Sequence, residues 1–143
     1  DMGFGYRKTI IRNDWLFVDA VLKGAPEAKS IISQRMDEIK ATREKSQPVR
    51  TSTSGSTFTN PSDAKAWELI DEAGCRGLVR GDAMVSEKHC NFLINKGNAA
   101  AADLEGLGED VRRRVFEKSG ITLEWEIRRI GIPLQSLMEE GRQ

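Results

Sequence analysis

Apolar side chains recur at helical spacings in three stretches of the chain. Residues 26–45 carry a thin apolar stripe among charged residues, so we predict a helix that lies on a surface. Residues 61–73 and 101–118 carry fuller stripes, and a glycine follows each within two residues, which predicts helices packed on a core. The apolar positions of these two helices are Trp67, Ile70 and Ala73, then Leu104, Leu107, Val111 and Val115.

Other stretches have the patterns of β-strands. Residues 15–22 are apolar at both alternate sets of positions, which predicts a strand buried on both faces. A further strand is predicted at residues 92–94, and short strands are predicted at 76–80 and 84–86. Residues 122–130 alternate cleanly and predict a strand with two different faces. The faces comprise Leu123, Trp125 and Ile127 on one side, and Glu124, Glu126 and Arg128 on the other.

The order of these elements predicts the fold class. Without internal repeats, it predicts an α+β fold in which helices pack on an antiparallel or mixed sheet. Residues 1–24 are interpreted as the tail of a separate unit, residues 25–47 as a connecting helix, and residues 48–143 as the main domain. Residues 51–57 predict a turn or flexible loop, and Asn60–Ser62 predict the caps of the following helix.

Charge narrows the possible partners. The 143 residues contain 22 Lys plus Arg and 22 Asp plus Glu, so the net charge is zero. Binding to nucleic acid depends on a basic excess, and the consecutive arginines at 112–114 point in three directions around a helix. We therefore expect no nucleic-acid partner.

Hydropathy narrows the class of protein. The mean hydropathy is −0.48, and the longest apolar run, from Trp15 to Leu22, is interrupted by Asp19. These features predict a cytoplasmic globular protein without a membrane-spanning segment. Because Phe4, Gly5 and Tyr6 read like the middle of a folded region, we expect the chain to be a fragment.

The cysteines do not indicate a metal site. Cys75 and Cys90 do not form a CxxC pair, and lone cysteines of intracellular proteins are most often small core residues. A zinc site that combined them with His89 would have only three ligands at an unsuitable spacing.

Ser56 is the first candidate for chemistry. It lies in a glycine-bearing turn just before a predicted helix start, where a hydroxyl can face an anionic ligand. The commoner alternative is a loop serine that hydrogen-bonds to its own backbone. The sequence around it is neither a GxSxG elbow nor a phosphate-binding Walker loop.

Five other positions could take part in a site. Glu126 and Arg128 are two residues apart on a predicted strand, so they would share a face and could bind an ionised substrate or form a surface salt bridge. His89 is the only histidine and is equally open to a structural role. Tyr6 and Arg7, near the start of the chain, complete the set.

Four motifs in this order resemble one family. They are FGYR at residues 4–7, GSTFTNPSDAKAWELIDEAGCRGL at 55–78, VSEKHCNFLIN at 85–95 and LEWEIRRIG at 123–131. Together they resemble the C-terminal half of the UDP-N-acetylenolpyruvoylglucosamine reductases, also called UDP-N-acetylmuramate dehydrogenases, of peptidoglycan synthesis. The spacing after FGYR resembles the shorter of the two forms of the family.

The resemblance implies a reaction. Family members use NADPH to reduce a bound FAD, which passes hydride to the enolpyruvyl group of UDP-N-acetylglucosamine enolpyruvate. By position, Ser56 resembles the serine that protonates the neighbouring carbon, Glu126 the acid that stabilises the intermediate, and Arg7 the arginine that holds the substrate carboxylate. The positions that resemble substrate-binding residues are Tyr6, Asn60, His89 and Arg128.

The sequence departs from the family pattern at three points. An aspartate, Asp82, follows Gly81 where a second glycine is usual, and Lys8–Thr9 follows Arg7 where a serine is more often two residues on. The glycine-rich loops of the N-terminal FAD-binding domain are not in this chain, so we expect it not to turn over alone. The alternative is a non-catalytic α+β binding or interaction module with the same fold.

Overall fold

The computed structural model describes residues 2–12 and 14–131, so the last part of the predicted main domain, residues 132–143, lies outside the described residues. The described chain contains three helices and four short strands. In chain order these are α1 (Lys29–Ser46), β1 (Thr53–Ser56), α2 (Ala66–Glu72), β2 (Val79–Arg80), β3 (Ala83–Val85), β4 (Phe92–Asn95) and α3 (Ala101–Ser119).

The chain divides into two compact units, Asp1–Lys40 and Ala41–Gln143, each of which is described by itself. In the first unit, Gly5 and Lys8 form an isolated antiparallel bridge around a tight turn. Helix α1 has no buried residue, as predicted for a surface helix, and Arg43 and Lys45 in its last turn suit the negative end of the helix dipole.

The predicted buried strand at residues 15–22 is wrong. These residues are not in a strand, and their large apolar side chains are exposed, Val18 to 88% and Val21 to 98%. A strand that is apolar on both faces needs hydrogen-bonded neighbours and a covering layer on each side. The described part of the first unit supplies neither to this stretch.

The second unit has the predicted α+β architecture. Its four strands are all antiparallel, in the spatial order β1-β4-β3-β2; α3 packs against the sheet, and α2 packs against α3. Alternate residues of the central strands point into one apolar core, because successive side chains of a strand face opposite ways. The core comprises Phe58, Ala66, Ile70, Cys75, Ala83, Val85, Cys90, Leu93, Leu107, Val111, Val115 and Leu123.

Helix α3 matches its prediction closely. It ends at Gly120, which adopts the left-handed conformation with φ of 74° and whose N–H donates to the carbonyl of Phe116. At its start, Asp103 accepts a hydrogen bond from the N–H of Ala100 at 3.0 Å, so the first turn is capped by a residue inside the helix.

Three predicted elements need correction. The loop predicted at residues 51–57 contains β1, because β4 offers a pairing partner that local composition cannot reveal. The helix predicted from residue 61 begins only at Ala66, and Asn60 caps it from a distance through its side-chain oxygen, which accepts the N–H of Ala66 at 2.9 Å. Trp67, predicted to be buried, is 39% exposed.

The predicted strand at residues 122–130 is reduced to a single bridge between Trp125 and Phe58. Hydrogen bonds from Thr59 N–H to the Glu124 carbonyl and from Glu126 N–H to the Thr57 carbonyl, both 2.9 Å, flank that bridge. The chain then bends at Ile127. The alternation of apolar and polar residues therefore correctly predicts that Leu123 is buried and Trp125 half-buried, but it wrongly predicts a full strand.

Candidate functional site

Ser56 lies at the end of β1, opposite Phe92 of β4. The pairing between Thr53 and Ser56 is irregular, with Gly55 at φ of 91°, a conformation that favours glycine. The Ser56 side chain is half-buried, and no residue in the described ranges hydrogen-bonds to its hydroxyl. The hydroxyl is therefore available to a ligand.

Glu126 is joined by a backbone hydrogen bond to the residue that follows Ser56. Its N–H donates to the carbonyl of Thr57, the residue that follows Ser56, at 2.9 Å. Glu126 is half-buried. A hydroxyl-bearing residue and a carboxyl-bearing residue that are 70 positions apart in the sequence are thus attached to adjoining backbone, and their membership of one site stays a prediction.

Arg128 does not share a strand face with Glu126, because the predicted strand does not extend to it. The bend at Ile127 separates the two residues, and Arg128 is exposed. The argument for a common pocket from strand alternation is therefore wrong, although a role for Arg128 in binding substrate stays a prediction.

His89 lies in an aromatic cluster beside β4. Its ring centroid is 4.8 Å from that of Phe92, in an edge-on arrangement, and 6.2 Å from that of Trp67. Burial lowers the pKa of His89, and its Nδ1 accepts the N–H of Asn91 at 3.3 Å. The imidazole is therefore neutral at neutral pH, with its proton on Nε2, where it can donate to a ligand.

The loop that carries His89 is shaped by Ser86, a buried polar residue that the sequence did not single out. The Ser86 hydroxyl accepts the N–H groups of Lys88 and His89, both at 3.2 Å. Such hydroxyl-to-backbone bonds close a turn without regular structure. The predicted site residue Asn60 also has a structural task, the capping of α2 described above.

Tyr6 and Arg7 belong to the first unit. Arg7 has a φ of 56° within the tight turn, and its guanidinium carbon lies 6.0 Å from the centroid of the Tyr6 ring. Both side chains are exposed within this unit. Their meeting with Ser56 and Glu126 stays a prediction.

A side-chain anchor holds residues 123–129 on α3, and sequence reasoning missed it. We call this group, Gly108, Glu109, Arg112, Trp125 and Arg129, the Trp125 anchor. The Trp125 ring lies so close to Gly108 that an added Cβ there would come within 2.0 Å of it. Trp125 Nε1–H donates to Glu109 at 3.0 Å, and the Arg129 guanidinium lies 4.8 Å from the centroid of the Trp125 ring.

Sequence reasoning also missed Asn91, which is only 5% exposed. A polar residue at the start of the apolar run CNFLI is a signal, because buried polar groups are almost always hydrogen-bonded. The sequence does not show which groups it bonds.

The cysteines are buried, as predicted. Burial raises the pKa of Cys75, and it raises the pKa of Cys90 to about 11, so neither thiol is a ready nucleophile. Within residues 2–12 and 14–131, no group of three or more His, Cys, Asp or Glu side chains is arranged to hold a metal ion. None of the helices in the described ranges has the length and apolar character needed to cross a bilayer.

The described residues do not supply a glycine-rich loop for the phosphates of FAD. A dinucleotide's phosphates are commonly held by a glycine-rich loop at a helix N-terminus, and no helix in the described part of the chain begins at such a loop.

A cavity of about 390 Å³ opens beside the last turn of α1 and strands β3 and β4. None of the predicted site residues lines it. Its lining includes Pro48, Val49, Arg50, Met84, Lys88 and Ile94.

Comparison with known proteins identifies strong similarities. Residues 47–130, more than half of the chain, match the family described as "UDP-N-acetylenolpyruvoylglucosamine reductase, C-terminal domain". The chain is 61% identical over 132 residues to a UDP-N-acetylenolpyruvoylglucosamine reductase of Paramagnetospirillum magneticum, and 57% identical over 141 residues to one of Rhodospirillum rubrum. These alignments cover 92% and 95% of the chain but only 43% and 44% of the relatives.

A solved structure is also similar. The crystal structure of UDP-N-acetylenolpyruvylglucosamine reductase from Thermus caldophilus aligns with a TM-score of 0.74 and 38% identity. The alignment covers 89% of this chain and 45% of that one. The chain therefore spans less than half the length of these relatives.

Proposed function

Because the chain belongs to the UDP-N-acetylenolpyruvoylglucosamine reductase family, we propose that it binds and protonates substrate within an enzyme that reduces UDP-N-acetylglucosamine enolpyruvate to UDP-N-acetylmuramate. The enzyme would act in the cytoplasm, in peptidoglycan synthesis. The observation that carries the proposal is the attachment of Ser56 and Glu126 to adjoining backbone around Thr57. The names of the relatives support the choice of substrate.

Each predicted domain of the chain would have its own role in the proposed enzyme. Residues 1–24 would be the end of an FAD-binding domain, residues 25–47 a connecting helix, and residues 48–143 the substrate-binding domain. FAD, reduced by NADPH and held by a part of the enzyme outside the described residues, would supply the hydride. The residues of this chain would then bind the substrate carboxylate and donate the proton.

Ser56 would donate its proton to the carbon that bears the carboxylate. Addition of hydride to the neighbouring carbon leaves an enolate-like species there, and such a species is basic enough to take a proton from a well-placed hydroxyl. The free hydroxyl of Ser56 suits this role, because it has no bond within the described residues to give up first.

Glu126 and Arg7 would stabilise the charge that develops on the carboxylate oxygens. An acid and a cation aimed at those oxygens act most strongly in the transition state, where the charge is largest. The neutral His89 would donate a hydrogen bond from Nε2 to a polar group of the substrate. Tyr6, Asn60 and Arg128 would complete the binding site.

The test uses the full-length protein with FAD. In Ser56→Ala, we expect the turnover number for NADPH-dependent reduction of the enolpyruvyl substrate to fall by about 10²–10⁴-fold, because proton transfer is lost. The affinity for substrate, followed by the change in the flavin spectrum, should stay within a few-fold. Ser54→Ala is the matched control, since Ser54 is an exposed residue of the same strand.

A wild-type protein that binds the substrate but does not reduce it would favour the alternative, a binding module with the same fold. Full activity in Ser56→Ala, with reduction intact in the wild type, would leave the reaction in place but remove Ser56 from it.

A further inference from the structure

Asn91 makes a set of hydrogen bonds that surrounds the residue pair following Ser56. Its side-chain oxygen accepts the N–H of Phe58 at 2.9 Å, and its side-chain NH₂ donates to the carbonyl of Phe58 at 2.8 Å. Its backbone carbonyl accepts the N–H of Thr57 at 2.8 Å. One buried residue thus bonds to the three successive peptide groups that lie between Ser56 and Thr59.

The side-chain bonds of Asn91 hold the chain beyond Ser56, where the regular hydrogen bonding between β1 and β4 ends. Pairing between β1 and β4 advances by three residues from Thr53 to Ser56 but by only two from Ile94 to Phe92. An extra residue of this kind bends a strand and re-aims its side chains. A side-chain amide carries a donor and an acceptor like those of a peptide group, so Asn91 can hold the chain where regular pairing stops.

Asn91 is in turn held in place from its other side. Its N–H donates to Nδ1 of His89 at 3.3 Å, and the Ser86 hydroxyl fixes the turn that carries His89. The orientation of Asn91 is therefore set before any substrate arrives. Such pre-set orientation is what a proton donor needs from its surroundings.

We propose that Asn91 is a positioning residue that aims the Ser56 hydroxyl at the reacting carbon. This inference rests on the proposed function, in which Ser56 is the proton donor. Asn91 acts through the peptide groups of Thr57 and Phe58 and does not itself touch the substrate. Its effect on turnover therefore depends on the presence of the Ser56 hydroxyl.

A double-mutant cycle in the full-length FAD enzyme tests this dependence. We expect Asn91→Ala to lower kcat for reduction of the enolpyruvyl substrate by about 10- to 100-fold, as small misplacements of a reacting group do, with KM nearly unchanged. In a Ser56→Ala background, the same Asn91→Ala change should have no further effect on kcat. Reduction of ferricyanide by NADPH, which needs no proton from Ser56, should be unaffected throughout.

Asn95→Ala is the matched control. Asn95, at the other end of β4, accepts the N–H groups of Gly97 at 2.8 Å and Ala99 at 3.1 Å through its side-chain oxygen. Its loss removes two side-chain hydrogen bonds from the far end of β4 but none from the neighbourhood of Ser56. We expect kcat to be unchanged, so a fall equal to that of Asn91→Ala would overturn the inference.

If Asn91→Ala does not fold, as judged by circular dichroism, Asn91→Asp takes its place. A neutral carboxyl can both donate to and accept from Phe58, whereas an ionised one can only accept. The kcat of Asn91→Asp relative to the wild type should therefore rise as the pH falls and the new carboxyl group becomes neutral. A ratio that does not change with pH would overturn the inference.

The remaining outcomes separate the two proposals. An equal loss of kcat from Asn91→Ala in the presence and absence of the Ser56 hydroxyl overturns the positioning role alone. A wild-type enzyme that fails to reduce the substrate overturns the proposed function and the positioning role together.

Discussion

Residues 57–59 lie between two segments that are held in different ways. On one side, residues 91–95 belong to the antiparallel sheet or lead directly into it. On the other side, residues 123–129 make only one isolated bridge, at Trp125, and are attached to α3 by the Trp125 anchor. Ser56 is therefore held by strand pairing with β4, whereas Glu126 is held by the backbone hydrogen bonds around Trp125 and by the packing of the Trp125 ring on α3. The comparison shows that two neighbouring segments, each with a predicted site residue, can be held in place in different ways.

The largest effect on this comparison is expected from Gly108→Ala. The new methyl group would overlap the Trp125 ring, so the ring and the segment that carries it must move. Overpacking of this kind costs about 1–3 kcal/mol of folding free energy, even though alanine favours a helix by about 1 kcal/mol over glycine. Urea denaturation measures the loss, and NADPH-dependent turnover should fall with it because Glu126 is displaced.

Gly106→Ala is the control for this change. A Cβ at Gly106 would meet the guanidinium of Arg80 at 2.4 Å, the far end of a flexible side chain that can move aside. We expect little net change in stability. Equal destabilisation by the two substitutions would contradict the view that the Trp125 ring is specifically seated against Gly108.

A smaller effect is expected from Glu109→Gln, which keeps the side chain's shape but removes its charge. Glu109 accepts the Trp125 N–H and pairs with Arg112 at 2.7 Å and Arg129 at 3.4 Å. We expect a loss of about 1 kcal/mol in the free energy of unfolding, larger at low salt. Glu117→Gln, which breaks one exposed pair with Arg113, should cost less than about 0.5 kcal/mol. If both variants behave alike, Glu109 is not an anchoring residue.

The smallest effect is expected on the pH dependence of the free energy of unfolding, through His89, which lies just before residues 91–95. Because burial lowers the pKa of His89 in the folded state, the unfolded chain takes up its proton first as the pH falls. Its contribution to stability is therefore intact above the ordinary pKa of 6.5 and declines as the pH drops from there toward the folded pKa. His89→Gln should flatten the curve of unfolding free energy between about pH 7 and pH 5. An unchanged slope would show that His89 is not the residue responsible.

The sequence predicted best those elements whose signals are local. Helix α3 has a full apolar stripe and a glycine where the left-handed residue is needed, so its prediction required no distant partner. The α+β class followed from the order of the elements. Ser56 and Glu126 were predicted as site residues from family motifs, and the backbones of Thr57 and Glu126 are hydrogen-bonded in the structure.

The failures involve partners that are distant in the sequence. The composition of residues 51–57 predicts a loop, because it contains no signal of the pairing of β1 with β4. Asn60 was predicted as a cap of α2, but the helix begins at Ala66, six residues further on, which local capping rules do not anticipate. Asn91 and Trp125 could be noticed as unusual residues, but their partners, Phe58 and Gly108, are fixed only by the folded chain.

The shared attachment of Ser56 and Glu126 to Thr57 also has a consequence for motion. A thermal displacement of residues 57–59 carries the hydroxyl-bearing and carboxyl-bearing residues along together, since one is covalently joined to Thr57 and the other is bonded to its carbonyl at 2.9 Å. Breathing of the domain would then change how far this pair stands from a bound substrate while largely preserving the spacing within the pair. The displacements of Ser56 and Glu126 would therefore be correlated rather than independent.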